Sequence, residues 1–457
     1  MEIEITLKET IKPSSPTPAD RRNLKLSLLD QFMPVTYTSL ILFYPASENR
    51  DRHATAAERS QQLKKSLSET LTEFYPLAGR PKDNASIECD DQGAEYIEAR
   101  IKCLLSEFLA KPELEVLKQL LPAAIESSEA ATGSLLLVQA NVFDCGGMAI
   151  GVCASHKITD AATLTTFLKC WSRKAAKSKD AARPVFLGAS IFPQMDASIS
   201  SSISSTTSSI ELIQSECVMT KRFVFEASKI SLLKTKAACQ TVPEPTRVEA
   251  VSALIWKCAM AASKSNLGFH RKSLWALAAN LRKRLTPPLP ENSAGNCACS
   301  VLVRVGEDAA EQVDLRDLVG RIRKGNREYD ETHTKKLQGD GASLALCGFA
   351  KEYGELAVSG DMDFYNCTSW CRFELYDAAD FGWGKPTWLS VAAGSTIKNV
   401  AMLLDARDGA GIEAWLSLSQ EDMNLFESNQ ELLEFAAVNP SVSIYPSPNQ
   451  THKELAR

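Results

Sequence analysis

The residue best placed to do chemistry is His156, one of only five histidines in the chain. It follows an apolar run, Ala149–Ser155, and precedes a stretch with helical spacing. An imidazole titrates near neutral pH, so it can take a proton from a hydroxyl group in a transition state. Strand ends that face a cleft are common positions for catalytic groups. The sequence therefore makes His156 a candidate general base.

The residues around His156 also allow plainer interpretations. A single histidine at a strand end is often a hydrogen-bonded structural residue, and the His-x-x-x-Asp spacing to Asp160 recurs by chance. Asp160 is placed to orient the imidazole or its loop. It is equally well placed to cap the following helix, because a carboxylate at that position accepts backbone N–H groups. Both interpretations of Asp160 stay open on these residues alone.

A second unusual string, DFGWGKP, runs from Asp380 to Pro386. Two glycines around Trp383 indicate a tight and closely packed turn. The string comes after Thr368–Leu375, which we expect to be a strand. Local physics alone predicts a packed turn here and no chemistry.

The elements that must position these residues follow from hydrophobic spacing. Apolar runs at Leu135–Phe143 and Met148–Ala154 flank a turn and predict a hairpin that ends beside His156. An apolar stripe after Asp160 predicts a helix to about Arg173. The other expected elements are helices from about Thr55 to Pro76 and over Arg247–Ala262, and strands at Met1–Lys8, Ala94–Ile101, Met219–Phe225, Ser273–Ala279, Trp388–Val391, Val400–Leu404 and Ile412–Leu416.

Strands and helices alternate without a regular βαβ pattern, so we expect a mixed α/β fold. The 457 residues exceed the size at which a single core stops growing, about 250–300 residues, so two domains are expected. A serine-rich stretch at 198–209 has little to bury. We therefore predict an N-terminal domain over 1–182, a crossover linker over 183–217 and a C-terminal domain over 218–457.

Composition excludes several classes of function. The net charge of −5 leaves no basic surplus for the phosphates of a nucleic acid. No stretch reaches 18 apolar residues, and the N-terminus does not resemble a signal peptide, so no membrane partner is expected. The thirteen cysteines include no CxxC pair, which argues against a zinc site. We expect a soluble, cytosolic protein with free thiols and no metal.

The two motifs together are far more specific than either alone. His156-x-x-x-Asp160, followed in the second half by Asp380-Phe-Gly-Trp-Gly384, resembles the plant BAHD acyltransferase family. The resemblance extends over nearly the whole chain and is greatest to the branch that contains vinorine synthase, a set of acetyltransferases of alkaloids and related alcohols. The further similar segments are Lys12–Pro18, Leu26–Gln31, Phe74–Arg80, Asn280–Arg282, Pro287–Pro290, Gly295–Asn296 and Ile412–Trp415.

The resemblance implies two chloramphenicol-acetyltransferase-like domains joined by a long crossover, with a channel between them. It makes His156 the general base as an alcohol oxygen attacks the thioester of an acyl-CoA, acetyl-CoA in the first place. The acyl-CoA is then a co-substrate, and no cofactor is permanently bound. The acceptor is a small plant alcohol of the alkaloid or terpenoid type, and the protein is expected to be a monomer. Asp160 is implied to point away from the substrate and to pair with Arg282.

The same resemblance assigns further site residues. Thr368 and Trp370 match positions near the thioester, which makes Thr368 a candidate oxyanion donor. Ser252, Lys257 and Asn296 lie in segments similar to the helix and loop that contact CoA in the family.

The DFGWG motif, with Trp383 at its centre, is implied to shape the channel. Asp380 is kept as a candidate catalytic residue for proton handling. One departure concerns the spacing from Tyr376 to Asp380, which has one residue more than the family pattern. It predicts a shifted strand end or a bulge.

Three alternatives remain beside this hypothesis. An aromatic or other acyl-CoA, or an amine acceptor, would use the same base. A related condensation or carnitine-type acyltransferase is the second. Condensation domains usually show two adjacent histidines and a glycine after the aspartate, but here Ser155 precedes His156 and Ala161 follows Asp160. A non-catalytic member of the fold that only binds ligand is the third, and the intact His156 argues against it.

Overall fold

A computed structural model describes residues 2–46, 52–178, 183–194, 218–307, 313–339, 341–391 and 397–444. The strands of this part of the chain are β1 Ile3–Ile11, β2 Asn23–Lys25, β3 Tyr37–Tyr44, β4 Arg80–Pro81, β5 Ser86–Glu88, β6 Ala94–Ile101, β7 Leu136–Phe143, β8 Met148–Ser155, β9 Val218–Phe225, β10 Lys272–Asn280, β11 Ala298–Val305, β12 Met362–Ser369, β13 Trp388–Ser390, β14 Val400–Asp405, β15 Ile412–Ser419 and β16 Ala437–Val438.

The helices of the same part are α1 Leu28–Phe32, α2 Arg52–Glu73, α3 Leu105–Ala110, α4 Leu114–Lys118, α5 Ala161–Ala175, α6 Gly188–Ile191, α7 Ala227–Ala237, α8 Arg247–Leu267, α9 Leu315–Glu328, α10 Thr334–Lys336, α11 Ala342–Val358, α12 Leu375–Ala378, α13 Gln420–Glu427 and α14 Gln430–Leu433. None of these described helices has the length and apolar character needed to cross a membrane. The mixed α/β composition that the sequence predicts is confirmed.

The first half of the chain builds a six-stranded sheet in the order β1-β6-β7-β8-β3-β13. The predicted hairpin is present, since β7 and β8 pair antiparallel from Leu136↔Ala154 to Val142↔Met148. Helices α2 and α5 pack together beside this sheet, and Leu63, Leu67 and Leu71 of α2 are fully buried. The sheet thereby presents the end of β8, and His156 just after it, at one edge.

The second half builds a seven-stranded sheet in the order β11-β10-β12-β14-β15-β9-β16. Strands β10, β12 and β14 run parallel, so their carboxyl ends lie at the same edge. Alternate residues of β12, including Tyr365 and Cys367, are buried in the core that also contains α8. This helix therefore covers one face of the second sheet.

Strand β13 comes from the second half of the sequence but completes the first sheet, where Trp388 pairs with Phe43 of β3. Below it, the buried Arg222 forms an ion pair with Glu413 at 3.0 Å, and the guanidinium lies 4.9 Å from the ring centre of Trp388. The two halves are thus joined through a shared strand, whose Trp388 packs on a buried charge pair of the second sheet.

The predicted domain bounds stay a prediction. Of the predicted linker, residues 183–194 are described and contain α6, whereas the serine-rich stretch at 198–209 lies outside the described residues.

Three local predictions were wrong. The strand expected over Thr368–Leu375 ends at Ser369, because Arg372 and Glu374 have φ angles of 70° and 51°, which no strand accommodates. The extra residue before the DFGWG motif falls in the helical turn α12 instead of a strand bulge. Helix α2 begins at Arg52, ahead of the expected start near Thr55.

Candidate active site

His156 is held at the edge of the first sheet by its backbone. Its N–H donates to the carbonyl of Thr36, immediately before β3, at 2.8 Å, and the N–H of Ser155 donates to Leu135. The side chain is half-buried. Its Nδ1 atom is sealed from solvent without a hydrogen-bond partner, whereas Nε2 is not sealed. The nitrogen open to a reactant is therefore Nε2.

Asp160 serves two structural purposes. Its Oδ1 accepts the backbone N–H of Thr163 at 2.8 Å, so it caps α5, as one of the two open interpretations predicted. Its Oδ2 accepts Arg282 Nη1 at 2.7 Å, and Oδ1 accepts Nη2 at 3.1 Å. The ion pair that the resemblance implied is confirmed. The carboxylate is occupied by these partners and by the N–H of Cys297 at 3.1 Å.

The charges of this pair stabilise each other. Burial alone would raise the pKa of Asp160, but Arg282 and the backbone donors hold this pKa below its ordinary value. Burial would likewise lower the pKa of Arg282, and the Asp160 carboxylate holds it above its ordinary value. Both side chains therefore stay ionised although 8% and 2% of their surface is exposed.

Arg282 links the two halves of the chain through further contacts. Its Nε donates to the carbonyl of Ser293 at 2.9 Å, and Nη2 donates to the carbonyl of Gly295 at 2.9 Å and to Thr163 Oγ1 at 3.2 Å. The guanidinium thus ties the start of α5 to the loop that follows β10. This loop carries Asn296.

Asn296 and Asp30 support the His156 loop from the other side. The amide Nδ2 of Asn296 donates to the carbonyl oxygen of His156 at 2.7 Å and to Asp30 Oδ1 at 2.9 Å. The backbone N–H of Asn296 donates to the same Oδ1 at 2.7 Å. Asp30 Oδ2 accepts from the N–H and hydroxyl of Ser27, at 2.9 and 2.6 Å.

Asp30 is a residue next to this site that sequence reasoning did not single out. It is buried, and this burial raises its pKa against the hydrogen bonds from Ser27 and Asn296. The sequence signal was the Ser27-x-x-Asp30 spacing ahead of an apolar helix, which is a capping box. That spacing accounts for the hydrogen bonds to Ser27, but no local sequence pattern indicates that Asp30 also contacts Asn296 of the second half.

The surroundings of His156 keep the ring neutral. Burial lowers its pKa below the ordinary value, and its own carbonyl, Asp160 and Asn296 oppose that effect only in part. The Oδ1 atom of Asn296 is also buried without a partner, and it is an acceptor that suits a proton on Nδ1. A neutral ring with its proton on Nδ1 leaves the lone pair of Nε2 free to take a proton.

Thr368 lies at the edge of the second sheet that faces this site. Leu277 of β10 pairs with Cys367 of parallel β12, so Thr368 lies beside Ala278 and close to Asn280, the last residue of β10. Arg282 follows β10 and Asn296 precedes β11, so both lie at the same edge of the sheet. The structure therefore brings Thr368 into the region of His156.

Trp370 follows one residue after β12. Its side chain is 5% exposed and packs in the core of the first half. Its backbone N–H donates to the carbonyl of Leu403 at 2.7 Å. The side chain thus joins the two halves next to Thr368.

Ser252 and Lys257 lie elsewhere. Both belong to α8, and Ser252 is fully buried against Cys367, which points to the opposite face of β12 from Thr368. Lys257 Nζ pairs with Glu431 at 2.6 Å. The described contacts do not bring either residue to His156, and their predicted contact with CoA stays a prediction.

The DFGWG motif forms a turn at the far end of α5. Asp380 Oδ1 accepts the N–H groups of Gly382 at 2.9 Å and Gly384 at 3.1 Å, and both glycines have positive φ. Trp383 donates to Gln62 of α2 at 2.9 Å. Gly382 also lies against Ala176, the residue after α5.

Helix α5 separates this turn from His156. Its 15 residues rise about 22 Å at 1.5 Å per residue, and Asp160 caps the opposite end. The sequence-based assignment of Asp380 to proton handling at the base does not fit this geometry. The Asp380 carboxylate is used to hold the turn.

Comparison with known proteins places this geometry in a family. A family model described as the Transferase family matches residues 1–433. The chain is 39% identical over 445 residues to the BAHD acyltransferase BIA1 of Arabidopsis thaliana, covering 96% of this chain and 99% of that protein.

Two further relatives are named for the alcohols they acetylate. Limonoid 7-O-acetyltransferase of Citrus sinensis is 39% identical, with 96% of this chain and 99% of that protein covered. Stemmadenine O-acetyltransferase of Catharanthus roseus is 36% identical, with 94% and 97% covered.

Solved structures agree with the fold. The crystal structure of vinorine synthase is 34% identical, covers 97% of this chain and 100% of that one, and superposes with a TM-score of 0.80. TRI101 of F. graminearum, crystallised with coenzyme A and T-2 mycotoxin, is 16% identical and covers 91% and 99%, with a TM-score of 0.67, so it shares the fold. The chain belongs to the plant BAHD acyltransferase family.

Proposed function

We propose that the protein transfers an acyl group, acetyl in the first place, from an acyl-CoA to a hydroxyl group of an alkaloid or terpenoid alcohol. The acetyltransferases of limonoids and of stemmadenine among its relatives support the reaction and the acceptor class. CoA in the crystal structure of TRI101 supports the donor class. The acyl-CoA arrives and leaves as a co-substrate in each turnover.

The observation that carries the proposal is the state of the His156 ring. It lies at the junction of the two halves, its pKa is depressed by burial, and Nε2 is the nitrogen that is not sealed. A base of this kind contributes about 10²–10⁴-fold in rate. No other described histidine lies at a strand end at this junction.

The reaction then runs in two steps. Nε2 of His156 takes the proton of the alcohol as its oxygen attacks the thioester carbonyl, which forms a tetrahedral oxyanion. The hydroxyl of Thr368, at the facing sheet edge, donates to this oxyanion. The intermediate collapses with cleavage of the carbon–sulfur bond, and the imidazolium returns its proton to the departing CoA thiolate. No acyl-enzyme forms.

Asp160 and Asp380 act at a distance in this proposal. Asp160 fixes the start of α5 and the loop of Asn296 through Arg282, so the position of His156 depends on it. Asp380 holds the DFGWG turn against α2 and α5. Both are positioning residues.

The test is a screen of acetyl-, malonyl-, benzoyl- and coumaroyl-CoA against a panel of alkaloid and terpenoid alcohols and amines, with products read by mass. The proposal expects acetylated alcohols as the main products. The His156→Gln variant should lose at least a hundredfold in turnover while it unfolds at the same temperature as the wild type. The matched control is His333→Gln, since His333 is exposed on a helical turn. Near-normal turnover in His156→Gln would refute the assignment of the base.

A cytosolic location and a monomeric state are part of the same proposal. Cell fractionation and light scattering of the purified full chain measure them.

A further inference from the structure

The second sheet has an unusually open patch on the face opposite α8. Strand β12 is an interior strand, paired with β10 on one side and with β14 on the other. Its residues alternate from 362 to 368, with 363, 365 and 367 buried towards α8 and the side chains between them accessible, and Asn366 is exposed. An exposed side chain in the middle of a sheet that forms a domain core leaves a space above it.

The accessible neighbours of Asn366 lie towards Thr368 and β14, since Ala276, its partner on β10, is fully buried. The strand registers place Thr368 opposite Met402 and Asn366 opposite Val400 on β14, and Ala278 opposite Ser300 across β10 and β11. We call this surface the sheet floor, and it consists of Ala278, Ser300, Asn366, Thr368, Val400 and Met402. All six are accessible in part or in full.

The sheet floor faces the first half of the chain. Met402 packs against the core of the first half, as do Leu404 and Trp415 on the same face. Tyr353 of α11 meets the ring of Phe364 edge-on at 5.1 Å and bounds the floor two residues beyond Asn366. The floor therefore faces the first half of the chain, with Thr368 at the end nearest to His156.

The chemistry of the sheet floor suits a neutral and largely apolar molecule. It has no charged side chain, so the phosphates of CoA find no cation on it. Three of its members are apolar, and three present a hydroxyl or an amide. Ligand sites commonly combine an apolar lining with a few polar groups that fix orientation.

Asn366 is the polar group with the most unused capacity. Its backbone N–H donates to Asn399 at 2.8 Å, but no hydrogen bond among the described residues involves its side-chain amide. An amide offers two donors and an acceptor. Two residues of a strand span about 7 Å, which is the distance along the floor from Thr368 to Asn366.

From this placement we infer that Asn366 is a specificity-determining residue of the acceptor. Its amide hydrogen-bonds a second oxygen function of the acceptor, a ketone, ester or hydroxyl, which lies along the sheet floor away from the hydroxyl group that is acylated. The acceptor is thus a multiply oxygenated polycyclic alcohol whose rings lie on the sheet floor. This inference rests on the proposed acyl transfer and narrows its acceptor.

The test compares matched acceptors. Acetyl-CoA is the donor, and the acceptors are several pairs of tetracyclic alcohols, each pair differing only in a ketone on a ring remote from the reacting hydroxyl. The wild type should prefer the ketone member of at least one pair. Asn366→Leu keeps the size of the side chain. It should lower kcat/KM for the ketone member about fivefold to tenfold, mostly by raising KM. It should leave the deoxo member within twofold.

The matched control is Asn23→Leu, because Asn23 is an exposed asparagine of strand β2 that does not belong to the sheet floor. The KM for acetyl-CoA should be unchanged in both variants. A preference that is the same in Asn366→Leu as in the wild type would overturn the inference. A second outcome would also overturn the inference. In it, Asn366→Leu changes the ratio of kcat/KM for acetyl-CoA to that for longer acyl-CoAs but keeps the acceptor preference. The floor would then hold the acyl group.

The outcome also separates this inference from the proposed function. If the wild type acetylates both members of every pair equally well, the proposed role of Asn366 is refuted and the proposed acyl transfer is still supported. A wild type that acetylates no alcohol counts against the proposed function, and the inference falls with it.

Discussion

The buried pair of Asp160 and Arg282 allows the sharpest prediction on stability. Asp160→Asn keeps a side chain that caps α5, because asparagine is as good a cap as aspartate. It removes the negative charge that faces a guanidinium with 2% exposure. Leaving one member of a buried ion pair unpaired costs roughly 3–5 kcal/mol. We expect that loss in the free energy of unfolding.

The double variant Asp160→Asn with Arg282→Met isolates the interaction. Each single change leaves a buried charge alone, whereas the double change leaves none, so the losses should not add. We expect a coupling energy of about 2–3 kcal/mol from the cycle of four proteins.

The assay is urea unfolding followed by tryptophan fluorescence, compared at equal slopes. With a slope of about 4 kcal/mol per molar urea for a chain of this size, Asp160→Asn shifts the midpoint down by about 1 M. Additive losses, or a midpoint within about 0.2 M of the wild type, would show that the buried pair does not stabilise the fold in this way. His156→Gln serves as the control from the same loop and should shift the midpoint far less.

Three other predictions concern the same framework. Asp30→Asn should lower kcat roughly tenfold and leave KM for acyl-CoA within twofold, because the bonds that hold Asn296 lose a charged acceptor; a change confined to KM would contradict this. Asp160→Asn should also move the acid limb of kcat/KM to lower pH, since the charge of Asp160 raises the pKa of His156 and its removal lowers that pKa; a limb at higher pH would contradict the sign. Asp380→Ala should cost about 1–2 kcal/mol of stability, from two lost turn bonds, with kcat within threefold at a temperature where the protein is folded; an inactive but fully stable variant would restore a catalytic role.

Local patterns in the sequence predicted the elements around His156. The hairpin β7–β8 and the helix α5 followed from apolar spacing, and the cap of α5 by Asp160 followed from its position. These are short-range properties, so the chain carries them in neighbouring residues. The predicted strand does not reach Leu375, because Arg372 and Glu374 have left-handed backbone conformations. Neither residue type favours that conformation, so nothing in the sequence indicates it.

Long-range arrangements were beyond local patterns. Nothing in Trp388–Ser390 indicates that β13 pairs with the first sheet, because that choice depends on a partner strand far away in the sequence. The partner of Asp160 came from the family resemblance, and the contact of Asp30 with Asn296 was not anticipated at all. Such contacts depend on how two halves meet, which spacing within one segment does not encode.

The most direct test of the account is the ionisation of His156 itself. With only five histidines in the chain, NMR of histidine-labelled protein can follow each ring, and His156→Gln identifies its signal. We expect this ring to titrate below about 6.5 and the acid limb of kcat/KM to have the same midpoint. A ring that is already protonated at neutral pH, or an acid limb that persists with full turnover in His156→Gln, would contradict it.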